Sequence, residues 1–152
     1  MSPRELNAVL AIARSLQRAA LASATQPLLR GKKLGLLGGQ DDSDADLFRR
    51  AATELGAYVA RVRPLSNSIG LDDVLQTARV LGRLYDALEC QDMAPALVQR
   101  MRLGAGVPVF DGIASPRHPT TATLVAQLDD HAAEADKRRF VVQAVLVESL
   151  VS

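Results

Sequence analysis

One cysteine, Cys90, is all the chain has in 152 residues. That excludes a disulfide framework and fits a reducing, cytoplasmic compartment. Excess charge is lacking too: 18 basic residues against 17 acidic ones leave a formal charge of +1. No field of that size argues for nucleic acid or a membrane surface as partner. Apolar runs of membrane-spanning length are absent. Gly35, Gly38 and Gly39 lie near a strand end but lack the GxGxxG or GxxxxGK spacing of a nucleotide loop. Acids are scarce at the start, where Glu5 stands alone among Arg4, Arg14, Arg18 and several serines, a faint likeness of a transit peptide. Leu6, Val9, Leu10, Ala13, Leu16 and Ala20 nevertheless recur at threes and fours, and that spacing predicts an amphipathic first helix instead.

What is present is core material. Apolar residues make up 48% of the chain, enough for one globular domain with a buried interior. Ser2 as cap and Pro3 at the first position start a helix over residues 3–24. Residues 34–37 read as a short strand, 47–55 as a helix stopped by Gly56, and 58–62 as a second strand ended by Pro64. Val74, Leu75, Ala78, Leu81 and Leu84 form the apolar face of a helix over 72–83, with Asp72 and Asp73 at its positive end. A third strand over 86–90, a helix over 93–103, a fourth strand over 107–110 and a helix over 119–130 follow. This alternation predicts an α/β fold in three layers, a small parallel sheet of about four strands covered by helices on both faces. The last segment, FVVQAVLVESLV, is apolar nearly all round, so strand and buried helix compete there.

The functional centre of the sequence is VPVFDGIASPRHPT with the threonine after it, residues 107–121. An apolar strand ends at Asp111-Gly112, Ser115-Pro116 and His118-Pro119 punctuate a loop, and Pro119 opens a helix. A strand feeding a polar loop at a helix N-terminus is where open α/β sheets place ligands. His118 lies in that turn, as a functional donor or acceptor or as a capping or surface residue. Cys90, at a strand end, reads as a small core residue rather than a nucleophile. Lys137, Arg138 and Arg139 read as a solvated helix start, and His131 as exposed helix-end polarity.

GVPVFDGIASPRHPT resembles the carbamoyl-phosphate domain of ornithine and aspartate transcarbamylases. There a strand ending in Asn-Gly leads to a His-Pro-x-Gln turn whose His and Gln contact the carbamoyl group. Asp111 replaces the Asn and Thr121 the Gln, while His118, Pro119 and Thr120 match the ornithine-type motif. TARVLGRLYDALE, residues 77–89, is the strongest block of the likeness. ADKRRFVVQAVLVESL is similar to the family's final helix, so the resemblance resolves the last segment as helix. In the family that helix follows a second domain; here only residues 131–135 precede it. The resemblance thus implies one unit over 1–152, a core over 1–130 and a closing helix over 131–152, with the amino-acid-binding domain excised.

The same resemblance shows what has changed. The family holds its phosphate with a Ser-Thr-Arg-Thr-Arg loop after the first strand, a set of bidentate donors. Here that place holds Asp41, Asp42, Ser43, Asp44, Ala45 and Asp46. Carboxylates beside a phosphate repel it by on the order of a few kcal/mol per close pair. A further family arginine after the third strand is matched by Gln91. The loop after the second strand, SNSIGLDDV, offers Ser66, Asn67 and Ser68 but no lysine. His118, Thr120 and Thr121 are therefore a remnant, and Asp41, Asp42, Ser43, Asp44, Ser66, Asn67, His118 and Thr120 are the residues expected to touch any ligand. Asp42, Asp44 and Asp46 begin like a calcium loop, but Leu47 and Thr53 stand at the sixth and twelfth positions, so no metal site is expected. Acids capping a helix explain the stretch more simply.

The function implied is a transcarbamylase-like module that has lost carbamoyl-phosphate binding and catalysis, with no cofactor. As partners the resemblance implies a homo-oligomer, a trimer in the family, or another protein chain. A small anionic or cationic metabolite is also possible; nucleic acid and membrane are not expected. Two alternatives stand beside it: an enzyme subunit completed by a separate chain, and a small-molecule sensor with a pocket around His118, Thr120 and Ser66.

Overall fold

The computed structural model describes residues 1–38, 42–63, 70–128 and 131–151. Its elements run α1 (Pro3–Leu21), β1 (Lys33–Gly38), α2 (Asp42–Glu54), β2 (Tyr58–Val62), α3 (Leu71–Leu84), β3 (Ala87–Gln91), α4 (Pro95–Ala105), β4 (Val109–Asp111), α5 (Pro119–Val125) and α6 (Glu134–Leu150). The four strands form one sheet in the order β2-β1-β3-β4, and every pairing is parallel. From β1 the chain crosses to β2 on one side and then returns to β3 on the other. The crevice between the carboxyl ends of β1 and β3 is therefore the switch point at which such sheets bind ligands.

Local chemistry accounts for the elements. Ser2 Oγ accepts the Glu5 amide at 3.2 Å and Pro3 takes the first helical position of α1, where its missing N–H costs nothing. β3 is buried at all five residues, as expected for a strand covered on both faces. One face carries α1, α2, α5 and α6 over a large apolar core; the other carries α3 and α4 over a smaller one built on Leu37, Leu88 and Met101. Phe140 to Val147 of α6 are all buried, because that helix packs against α1, α2 and α5 together. Gln143 is the polar member of that run, and its Nε2 donates to the Ala51 carbonyl at 3.1 Å and to Glu54 Oε1 at 3.2 Å. Arg139 bonds Glu54 as well. These contacts fix α6 to α2.

Several boundaries differ from the sequence reading. α2 begins at Asp42, not Leu47, so the described part of the acidic stretch is the first turns of a helix rather than a loop before one. The acids favour that start, since carboxylates complement the positive helix end. α4 begins at Pro95, not Met93, because Asp92 takes a left-handed φ of 55° that ends β3 and delays the helix. α5 stops at Val125, short of the Asp130 limit.

Candidate functional site

At the carboxyl edge of the sheet lies a cleft of about 350 Å³, whose walls include Asp44, Gln91, Asp92, Asp111, Arg117 and His118. Two glycines shape the strand ends beside it. Gly38 closes β1 with φ +77°, and a Cβ there would sit 1.9 Å from the Gln91 carbonyl oxygen, so only glycine lets β1 and β3 approach this closely. Gly112, at φ 70°, turns the chain out of β4 over the end of β3.

Glu89 anchors that turn from beneath. It is fully buried in β3, yet every oxygen is used. Oε1 accepts the amides of Gly112 at 3.0 Å and Ile113 at 3.2 Å. Oε2 accepts the Ala114 amide and Gln91 Nε2, each at 3.3 Å. Burial pushes the Glu89 carboxyl up to about 7, against the opposing pull of these hydrogen bonds. Gln91 Nε2 also donates to the Asp44 carbonyl at 3.3 Å, which ties β3 to the first turn of α2.

His118 caps α5: its Nδ1 accepts the Thr121 amide at 3.4 Å. Half-burial lowers its pKa, opposed by Asp111 and reinforced by Arg102, so the ring is held neutral. Cys90 is fully buried. Burial, then the charges of Glu89 and Asp111, push its thiol to about 12, which keeps it protonated and unreactive.

The expected site residues divide. Asp44 and His118 meet at the cleft. Ser43 is exposed at the start of α2. Thr120 is half-buried beside Met1 and Leu6 at a different depression. Thr121 is buried, and its hydroxyl donates to the Ile113 carbonyl at 2.7 Å, so it fastens the loop instead of facing the cleft. Asp41, Ser66 and Asn67 lie outside the described residues, as does the side chain of Asp42. Glu89, Asp92 and Arg117 were not singled out in the sequence. An acid inside the apolar strand ALECQ was the available signal for Glu89, since a carboxylate is almost never fully buried without partners. A larger hollow of about 430 Å³ lies away from the strand ends, between α1 and α6. Arg18 and Arg139 both line it, and Arg139 already pairs with Glu54 and Asp136.

A parallel three-layer α/β domain with a cleft at its switch point defines a broad class of ligand-binding proteins, and the comparisons narrow it. No family model matches the sequence. The ornithine carbamoyltransferase of Actinobacillus pleuropneumoniae serotype 5b is 38% identical over 119 residues, 77% of this chain and 36% of that protein. The catabolic ornithine carbamoyltransferase of Burkholderia mallei is 39% identical over 119 residues, 77% of this chain and 35% of its own length. Among solved structures, ornithine carbamoyltransferase from Pyrococcus furiosus superposes with a TM-score of 0.70 at 23% identity, covering 80% of this chain and 41% of the other. The catalytic subunit of the M. jannaschii aspartate transcarbamoylase gives 0.66 at 20% identity, covering 83% and 42%. The chain belongs to the ornithine/aspartate transcarbamylase family, matching its N-terminal domain region. It spans little more than a third of the length of the curated relatives it matches.

Proposed function

We propose that this domain is a transcarbamylase-like binding module that has lost carbamoyl-phosphate binding and catalysis. The observation that carries the reading is the sign of the cleft. Asp44, Asp92 and Asp111 line it, whereas the family resemblance leads one to expect arginine donors after β1 and β3. Gln91 occupies the second of those places, with its amide N–H groups committed to protein acceptors. Among the described residues named in its walls, Arg117 and His118 are the basic ones, and burial keeps His118 neutral. Phosphoryl and carbamoyl transfer rest on fixed positive charge at the reacting group, and this lining is poor in it.

Assembly is the other half of the proposal: a homo-oligomer, trimeric by resemblance, or a complex with another chain, in a cytoplasmic setting. Val80, Leu84 and Leu103 are 54%, 58% and 74% exposed on α3 and α4 and supply apolar surface for it. The family members' reaction is retained only if a separate chain completes the site; the intact His118-Pro119-Thr120 turn favours that second reading.

The test is a thermal-shift titration with carbamoyl phosphate and with inorganic phosphate. A ligand at roughly 100 times its Kd adds about 2.7 kcal/mol, which raises Tm by about 5–10 °C for a domain of this size. The expected result is no rise with either anion. A saturable rise with carbamoyl phosphate would overturn the reading.

A further inference from the structure

Gln91 leaves one valence unspent. Its side chain is only 4% exposed, and Nε2 donates to the Asp44 carbonyl and to Glu89 Oε2. Turning the amide round would set oxygen against the Asp44 carbonyl, which can only accept. Oε1 is thus left without a hydrogen-bond partner, the one buried side-chain oxygen in that condition among the described residues. A buried acceptor without a donor is unfavourable, and Gln91 belongs to the cleft wall. The cleft rim adds the exposed carboxylates of Asp92 and Asp111. Asp92 is held there in a left-handed conformation, a strained backbone of the kind that clusters at ligand sites.

Carboxylates therefore outnumber cations around the space, Asp44, Asp92 and Asp111 against Arg117, with Ser115 and His118 also in the lining. No three His, Cys, Asp or Glu side chains among the described residues converge closely enough to hold a metal ion. Acceptors spread over a cleft of about 350 Å³ suit instead an organic cation whose charge and donors are spread over several atoms. A guanidinium has this form, with N–H groups diverging in one plane. We propose that the cleft binds a small organic cation of the guanidinium type, its N–H groups satisfying Gln91 Oε1 and the carboxylates of Asp92 and Asp111. This deepens the reading of the cleft as a binding site that has lost its phosphate.

Isothermal titration of the full chain with methylguanidinium chloride tests it, with tetramethylammonium, a cation without N–H donors, as the control. Saturable binding of methylguanidinium and none of tetramethylammonium is expected. Asp92→Asn with Asp111→Asn keeps the shapes, since Asn also tolerates a left-handed φ, and weakens binding by roughly tenfold, the loss of charge-assisted hydrogen bonds. Gln91→Met weakens it by a similar factor, and the double aspartate variant decides the matter should Gln91→Met not fold. Absence of saturable binding overturns the guanidinium site while leaving the loss of phosphate binding intact. Equal binding of tetramethylammonium, or binding unchanged in the double variant, overturns it too. Binding of carbamoyl phosphate in place of the cation would instead overturn the underlying reading of the cleft.

Discussion

Glu89 Oε1 accepts the Gly112 amide at 3.0 Å across 23 residues of chain. Through this bond the centre of the sheet holds the turn that forms one wall of the cleft. Two neighbouring amides, of Ile113 and Ala114, join it on the same carboxyl group. A fully buried acid inside a small domain is costly unless its oxygens are satisfied, and here the loop that needs donors accepted meets the acid that needs donors. The arrangement makes Glu89 a positioning residue for the cleft.

A pH dependence follows, with a definite sign. Glu89 titrates near 7 in the fold, against a reference value of 4.5. Its folded pKa is raised, so its favourable contribution is complete below about 4.5 and is lost as pH climbs through about 7. Between about pH 5 and pH 8 the fold should lose on the order of 2–3 kcal/mol from this group. Glu89→Gln removes the dependence, and it leaves one oxygen for three amides, which costs about 1–3 kcal/mol. Urea unfolding of both proteins at the two pH values measures the difference. Parallel curves for wild type and variant would show that Glu89 is not the titrating group.

His118 behaves in the opposite sense. Its pKa lies below 6.5, chiefly through burial, and Nδ1 must stay unprotonated to accept the Thr121 amide. The contribution is present above pH 6.5 and is lost as pH falls through the depressed value. An NMR titration of the ring should give a midpoint below 6.5, and His118→Ala should destabilise the domain by about 1 kcal/mol, as the loss of a helix cap does. A midpoint at or above 6.5 would mean that the ring is not held neutral by its surroundings.

The layers of this fold were legible because their signals are local. Apolar runs ending at glycine or Asp-Gly marked β1 and β4, alternation ended by Pro64 marked β2, and the threefold and fourfold spacing of Val74, Leu75, Ala78 and Leu81 marked α3. α6 was not legible from periodicity, since a helix packed against three others buries every side from Phe140 to Val147 and so loses the polar stripe that reveals a helix. The turn around His118 was legible from its Pro and Gly punctuation. The roles within it were not. Thr121 points at the Ile113 carbonyl and Glu89 reaches the 112–114 amides from another strand. Those pairings depend on the register of β3 against β4, which one strand's sequence does not carry. The start of α2 was missed because a run of acids reads equally as a loop or as a well-capped first turn.

The β1–β3 junction can be tested with two glycines that share a backbone conformation but not a neighbourhood. Gly38 and Gly106 have φ of +77° and +71°, and a Cβ at Gly106 would meet nothing within 4 Å, whereas at Gly38 it would lie 1.9 Å from the Gln91 carbonyl oxygen. Alanine at Gly106 therefore carries only the left-handed penalty, about 1–2 kcal/mol. At Gly38 the same penalty is joined by a clash with backbone that no rotamer change relieves. β1 and β3 must then separate at their carboxyl ends, where the Gly38–Gln91 pair closes their register and the cleft begins. Gly38→Ala should cost more than about 4 kcal/mol, in the range reserved for disrupted cores and strained backbone, and should weaken any ligand of the cleft. Gly106→Ala, at the far end of α4, should leave ligand binding unchanged. Denaturant unfolding of the two variants side by side measures the contrast. Equal losses for the two would show that the close approach of Gly38 to Gln91 does not hold the crevice.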